Sequence, residues 1–229
     1  MTGPGLPTGE AKARRVRRMF DAISGRYDLV NRVMTFGMDV GWRRRAVREL
    51  RLPGGSLVFD LACGTGDLCR ELGAAGYRPV GFDFSLGMLR EARTVAPLVG
   101  ADVLSLPVRD ASADGATSGF VLRNVVDLGA FFAEIGRVTR RGGRVALLEA
   151  SQPDRGVMRA GHAFYFNRVV PVIGGLLSDR EAYRYLPASM AYLPPGAEMV
   201  AMLRDAGFPD AQRLALSGGI AQLFVGTRG

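Results

Sequence analysis

A buried strand that runs straight into a glycine turn limits this chain more than any other feature. Ser56–Leu61 is a short apolar run, and it leads into Asp60-Leu-Ala-Cys-Gly64-Thr65-Gly66-Asp67. A glycine pair placed there lets backbone approach a ligand where a Cβ would clash. Asp67–Ala75 then reads as a helix closed by Gly76, and Pro79–Phe82 as a second apolar run ending at Asp83. The rhythm continues through a helical Leu86–Val95 stopped by Pro97, a third strand at Asp102–Leu106 and a fourth at Thr117–Leu122. A helix at Phe131–Arg140, ended by Gly142-Gly143, precedes a fifth strand at Arg144–Leu148. After a helix at Glu198–Ala206, the strands Ala211–Leu216 and Ile220–Thr227 flank Ser217-Gly-Gly219, a hairpin signal. Strands that alternate with helices build βαβ units, hence an α/β fold with a mostly parallel sheet covered on both faces. The fixed handedness of such units lines the strand C-termini along one edge, where ligands bind.

The first 50 residues lack strand signals. Met1–Gly9 reads as a loose tail and Ala11–Leu50 as two or three helices broken at Gly25, Gly37 and Gly41. Val16, Met19, Phe20 and Ile23 make one apolar face; Leu29, Val33 and Met34 make another. The expected organisation is a helical extension over 1–50 and a ligand-binding domain over 51–229. An apolar, aromatic helical insert lies within 155–196, kinked at Pro171.

Charge is as uneven as the pattern. The net charge is +8, and residues 10–51 hold 12 basic against 5 acidic side chains, so +7 of the excess sits there. Lys12 is the sole lysine. A basic arm on a near-neutral domain differs from a uniformly basic nucleic-acid binder, and specific nucleic acid is not expected as a partner. Two Cys and one His leave no disulfide framework and no metal centre. No apolar leader follows Met1, and the most apolar stretch, Val169–Leu177, is too short to span a bilayer. The expected location is the cytoplasm, with a peripheral contact at the inner face of the membrane left open.

The glycine loop narrows the ligand. A dinucleotide site would want a third glycine where Cys69 stands, and a phosphate loop would want Gly-Lys-Ser/Thr. Asp83, 19 residues beyond Gly64, can accept both hydroxyls of a ribose. A carboxylate at Asp102 can take the amine of an adenine while Val103 packs on the ring. This describes an adenosine pocket without a phosphate clamp, which S-adenosylmethionine fits. A nicotinamide oxidoreductase is the competing enzyme class, and Cys69 argues against it.

With these residues in place the chain resembles the class I S-adenosylmethionine-dependent methyltransferases. More narrowly, it is similar to the family that C-methylates ubiquinone and menaquinone precursors. Tyr27-Asp28-Leu-Val-Asn31, Gly37 and Trp42-Arg43-Arg44 match that family's N-terminal signature, and Leu122-Arg123-Asn124-Val125 its fourth-strand motif. Arg137-Val138, Gly142-Gly143 and Leu148-Glu149-Ala-Ser151 match its second signature. Tyr183-Arg184-Tyr185-Leu186 and Leu203-Arg-Asp-Ala-Gly207-Phe208 match its C-terminal region. The likeness runs from about Arg17 to Phe224 and implies a seven-stranded, Rossmann-like sheet with a helical lid.

The resemblance further implies that Asp60, Gly64, Thr65, Gly66, Asp83, Phe84, Asp102, Val103 and Gly119 bind the cofactor. Arg123, Asn124 and Tyr27 then serve catalysis on a lipophilic quinol or another aromatic small molecule. Methylating an aromatic carbon needs a carbon nucleophile, which a reduced quinone supplies once a phenolic proton leaves. Arg123 is cast as the stabiliser of the phenolate, with a structural pair to Glu149 or Asp127 as the alternative; Asn124 orients the ring oxygen. Glu149 is expected to pair with an Arg, and His162 to be structural. The chain departs from the family pattern at Thr35 (Ser), Asp39 (His), Gly119 (Ser) and Arg140-Arg141 (Lys-Pro). Asp39 reads as a helix N-cap or a solvated acid, and it leaves open a paralogue that methylates a different aromatic, such as a polyketide phenol. The insert around Phe164–Leu177 can serve as core or as a lid over a polyprenyl chain. The basic N-terminal helices can meet anionic headgroups, stay in solvent or form a homodimer interface.

Overall fold

The alternation becomes a single twisted sheet. The computed structural model describes residues 8–153, 161, 165, 168, 185 and 188–229. Three helices come first: α1 Gly9–Ile23, α2 Tyr27–Met34 and α3 Met38–Leu50. Then follow β1 Leu57–Leu61, α4 Asp67–Ala74, β2 Arg78–Asp83, α5 Leu86–Arg90, β3 Leu98–Gly100, β4 Ala113–Gly119, α6 Leu128–Val138 and β5 Thr139–Ala150. The chain closes with α7 Gly196–Asp205, β6 Gln212–Leu216 and β7 Ala221–Thr227. Among the described residues the seven strands lie in the order β3-β2-β1-β4-β5-β7-β6. All neighbours are parallel except β7, which runs antiparallel to β5 and β6.

Two cores follow from the two-residue period of the strands. Phe59 and Leu61 of β1, Val145 and Leu147 of β5 and Phe224 of β7 point to one face, where α6 and α7 add Phe131, Phe132, Ile135, Met199 and Leu203. Val58, Ala146, Leu148, Leu223 and Val225 point to the other, where α3 and α4 add Trp42, Ala46, Val47, Leu50, Leu68 and Leu72. Helices α6 and α7 come unusually close: a Cβ on Gly136 would stand 2.3 Å from the Ala206 carbonyl oxygen.

Several boundaries differ from those expected. The third strand is Leu98–Gly100, because Gly81, Phe82 and Asp83 pair with Leu98, Val99 and Gly100. Asp102–Leu106 is instead a turn, in which the Asp102 carboxylate accepts from the Leu104 amide at 3.0 Å. The fourth strand starts at Ala113, ahead of Thr117; its small residues carry little strand propensity and are set by pairing with β1 and β5 on either side. Helix α5 stops at Arg90, and the chain beyond it is tied to the glycine loop: the Arg93 amide donates to the Thr65 carbonyl at 3.1 Å. Helix α6 begins at Leu128, capped by the Asp127 carboxylate, which accepts from the Ala130 amide at 2.9 Å. The expected hairpin forms as β6 and β7 around a turn at Ser217–Gly219. Of the helical insert expected at 156–178 only Gly161, Tyr165 and Arg168 are among the described residues; its kink at Pro171 and His162 lie outside them. Among the described residues no helix is long and apolar enough to cross a membrane.

Candidate active site

Strand order reverses between β1 and β4, so the loops leaving their carboxyl ends diverge and open a crevice. A cleft of about 780 Å³, its open side included, occupies that place. Its floor comes from the strand ends and the loops beyond them: Ala62 and Gly64 after β1, Asp83 and Phe84 after β2, and Asp102–Leu104 after β3. Gly119–Val121 and Asn124–Val126 line it beyond β4. Its roof is helical, with Ala13, Val16 and Phe20 from α1 and Tyr27 from α2.

The two loop glycines serve different ends. Gly64 has φ +55°, and a Cβ there would point into open space on the cleft wall. Gly66 has φ +82°, and its Cβ would lie 2.8 Å from Thr94 Cγ2, so it is kept small by protein packing. Asp83 holds the loop in place: its Oδ2 accepts from the Gly64 amide and its Oδ1 from the Ser85 amide, both at 2.8 Å. Burial pushes the Asp83 carboxyl up, and these backbone donors oppose the shift.

The other expected cofactor residues divide. Phe84, Asp102, Val103 and Gly119 line the cleft. Asp60 and Thr65 do not. Asp60 is fully buried under the loop, where Oδ1 accepts from Thr117 Oγ1 at 3.1 Å and Oδ2 from Cys69 Sγ at 3.3 Å. Burial raises its carboxyl to about 7. Thr65 donates to the Asp28 carboxylate and so ties the loop to α2.

The expected catalytic residues also divide. Tyr27 and Asn124 line the cleft. Burial pushes the Tyr27 phenol up; the charges of Arg123 and Arg43 and a hydrogen bond with Asn31 pull the other way without prevailing. Arg123 is not among the cleft-lining residues; it is buried and paired with Glu149: a guanidinium nitrogen reaches Glu149 Oε1, and the Arg123 amide donates to Oε2 at 3.3 Å. Asp127 caps α6 instead.

Asp39 is neither N-cap nor solvated. Gly37 holds the cap position of α3, and Asp39 is buried. Its carboxylate pairs with Arg43 and with Arg32 (3.4 Å) and accepts from Thr35 Oγ1 at 2.8 Å. Arg43 continues to Asp67 of α4 at 2.9 Å. Thr35 and Asp39, both departures from the family pattern, therefore form one unit that fastens α2 and α3 to the glycine-loop helix. Desolvation pushes the Asp39 carboxyl up, but the Arg43 charge and the hydrogen bonds from Arg43 and Thr35 together hold it below the usual range.

The helical roof was visible in the sequence only as the amphipathic face of α1. Lys12 adds to it: its buried ammonium donates to the Val125 carbonyl at 2.7 Å and sits 3.8 Å above the Tyr192 ring. Burial lowers it to about 8.

Comparison with known proteins agrees with this geometry. The model of the ubiE/COQ5 methyltransferase family matches residues 8–228. The chain belongs to that family. It is 41% identical to a demethylmenaquinone methyltransferase of Roseiflexus castenholzii over 97% of each chain. It is 38% identical to a ubiquinone/menaquinone biosynthesis C-methyltransferase of Geotalea uraniireducens, covering 95% of this chain and 97% of that one. Among solved structures, a SAM-dependent methyltransferase of Thermotoga maritima superposes with a TM-score of 0.66 at 18% identity, over 93% of this chain and 99% of that one. The fold is that of the class I methyltransferases, and the enzyme is a methyltransferase that uses S-adenosylmethionine. The cleft fits this cofactor: Gly64 leaves room for a ligand on the backbone, and the Asp83 and Asp102 carboxylates open onto the same space.

Proposed function

We infer that the enzyme methylates a ring carbon of a reduced, prenylated quinone precursor of the demethylmenaquinol type. One observation carries this reading: a single cleft joins an adenosine-type half at Gly64, Asp83, Phe84, Asp102 and Val103 to an aromatic and apolar half at Tyr27, Phe120, Val121, Asn124 and Val125. The names of the relatives support the same acceptor.

When bound, the cofactor supplies an electrophilic methyl group on a positively charged sulfur. The chain's own task is to align the acceptor and exclude water. Asp83 binds the ribose hydroxyls, Asp102 the adenine amine and Val103 the ring; Phe84 and Gly119 complete that wall. Asp60, Thr65 and Gly66 shape the glycine loop from behind. Tyr27 stays protonated at neutral pH and donates a hydrogen bond to an acceptor oxygen. Asn124 orients that oxygen. Arg123, held by Glu149, keeps positive potential beside it. Turnover is expected with the reduced quinone and not with the oxidised form, whose ring carbon is no nucleophile. A higher kcat/KM on a simple polyketide phenol would favour the paralogue instead.

The partner surface follows from the roof. Leu29, Val33 and Phe36 stand at i, i+4 and i+7 on the outer side of α2 and the turn after it, exposed by 59%, 40% and 75%. Phe36 is held at φ +52°, an unfavourable conformation for a bulky residue. The exposed Arg14, Arg17 and Arg18 of α1 lie on the adjoining helix. An exposed apolar stripe on α2 together with exposed arginines on α1 suits a peripheral contact with an anionic bilayer at the inner face of the cell membrane. Co-sedimentation with anionic but not neutral vesicles is expected, and Phe36→Ser should weaken it. A dimer in light scattering that Phe36→Ser dissociates would assign the stripe to a homodimer.

A further inference from the structure

The wall of the proposed acceptor half is a tight turn beyond β4, in which the Asn124 and Val125 amides both donate to the Val121 carbonyl, at 2.7 and 3.2 Å. Val121, Asn124 and Val125 all line the cleft. Two buried cations tie this turn to its surroundings. Arg123 reaches Glu149 of β5. Lys12 reaches the turn from the roof: its ammonium donates to the Val125 carbonyl at 2.7 Å and sits 3.8 Å from the centre of the Tyr192 ring, in the short 3₁₀ turn Met190–Tyr192. Three segments distant in the chain thus meet on one side chain. The ammonium is costly there. Buried charges are normally paired, yet among the described residues no carboxylate pairs with it. It also stands near the amino end of α1, where the helix dipole is itself positive and Thr8 makes no side-chain cap.

The two ends of α1 serve different halves of the cleft. Near its carboxyl end, Asp21 Oδ1 accepts from Ser85 Oγ at 2.6 Å and from the Gly87 amide at 3.0 Å, just beyond Asp83 and Phe84 of the cofactor half. Near its amino end, Lys12 holds the acceptor wall, while Ala13 and Val16 line the cleft itself. We propose that Lys12 is a positioning residue for the acceptor: through the Val125 carbonyl it latches α1 to the turn that carries Asn124, and so fixes the acceptor half of the cleft without touching the substrate. The latch rests on the aromatic-acceptor reading above. Linkage makes it reciprocal: if a closed latch favours the acceptor, a bound acceptor favours the closed latch. Burial lowers the Lys12 ammonium to about 8, so its charge, and with it the attraction to the Tyr192 ring, is lost in mild alkali. The other charged and titratable groups on the elements it joins are Tyr192; Arg15, whose charge acts on the Tyr192 and Tyr185 phenols; Glu10, which pairs with Arg14; Arg123, which pairs with Glu149; and Asp127, which caps α6.

Lys12→Met keeps most of the side chain's length and removes its charge and donors. The KM for the reduced quinone should rise roughly 10-fold, the order expected for one lost hydrogen bond from a charged group, while S-adenosylmethionine affinity stays within about twofold. The ratio of wild-type to variant kcat/KM, in which ionisation of the substrate and of the other groups cancels, should narrow with a midpoint near pH 8. A second readout needs no variant. Lys12 is the sole lysine, so its acylation by acetic anhydride can be followed by mass spectrometry of its peptide. In wild-type enzyme saturated with S-adenosylhomocysteine, reduced short-chain demethylmenaquinone or 1-naphthol should slow that reaction. If neither aromatic slows it, the latch is overturned, and the quinone reading stands where the quinol is still methylated. If 1-naphthol protects Lys12 but the quinol is not methylated, the latch stands and the quinone reading falls. Should Lys12→Met fail to fold, the labelling alone decides. Equal losses of cofactor and acceptor affinity in Lys12→Met, or a kcat/KM ratio that does not change with pH, would mark a merely structural tie and overturn the proposal.

Discussion

Asp60→Asn should make this enzyme more stable, and by an amount that depends on pH. Asp60 sits at the end of β1 with no solvent exposure, accepting from Thr117 and Cys69. Burial raises its carboxyl from 3.8 to about 7. Its pKa in the folded state therefore lies above that in the unfolded chain. Between those values the folded state keeps a proton that the unfolded state has released, so stability falls as pH rises through this window. Above about pH 7 the whole cost stands: about 3 pKa units at 1.36 kcal/mol each, or about 4 kcal/mol. At pH 5 the cost is about 2 kcal/mol, and below the unfolded value it vanishes. Asparagine has nearly the same shape and no charge, and its carbonyl can still accept from Thr117. Urea unfolding by circular dichroism should place the variant about 4 kcal/mol above wild type at pH 8 and about 2 kcal/mol above it at pH 5. For a chain of this length the pH 8 difference corresponds to roughly 8–16 °C in Tm. A difference that stays constant with pH, or a variant less stable than wild type at pH 8, would refute the argument that Asp60 carries a desolvated charge.

Three further outcomes follow from the same geometry. Asp83→Ala should weaken S-adenosylmethionine binding at least ~100-fold by calorimetry, since charge-assisted hydrogen bonds are worth ~1.5–3 kcal/mol each; unchanged affinity would sink the ribose assignment. Gly136→Ala should destabilise by roughly 1–3 kcal/mol, because its Cβ would sit 2.3 Å from the Ala206 carbonyl and force α6 from α7; an unaltered Tm would contradict that contact. Asp39→Ala leaves the buried Arg43 with Asp67 alone and should cost about 3 kcal/mol. Because the Asp39 carboxyl is held low, its contribution is present above the unfolded pKa and is lost as pH falls through the folded one, so the gap to wild type should close in acid.

What could be read from the residues was local. The glycine loop, the acid closing β2 and the hairpin at Ser217–Gly219 lie within short spans of chain, and the structure brings Gly64 and Asp83 to one cleft. What misled was tertiary. Asp102-Val-Leu-Ser-Leu looks more like a strand than Leu98-Val-Gly100, yet pairing with β2 selects the latter. Ala113–Gly119 has almost no large apolar residue and is a central strand because β1 and β5 flank it. Asp39 looks solvated on an arginine-rich helix; its burial depends on how α2, α3 and α4 pack. The pairing of Arg123 with Glu149, 26 residues on, was legible as the alternative to a catalytic role for Arg123, and the fold makes that pair rather than one with Asp127. The ties from Asp28 to Thr65 and from Arg43 to Asp67 have no local signature.

The central claim is the transfer of a methyl group to a ring carbon of a reduced quinone. The direct measurement supplies the enzyme with S-adenosylmethionine carrying a ¹³C methyl group and a chemically reduced, short-chain demethylmenaquinone, and locates the label in the product by NMR. A ¹³C methyl resonance coupled to a ring carbon is the predicted result. Label on a phenolic oxygen, or no transfer by enzyme that still binds the cofactor, would contradict it.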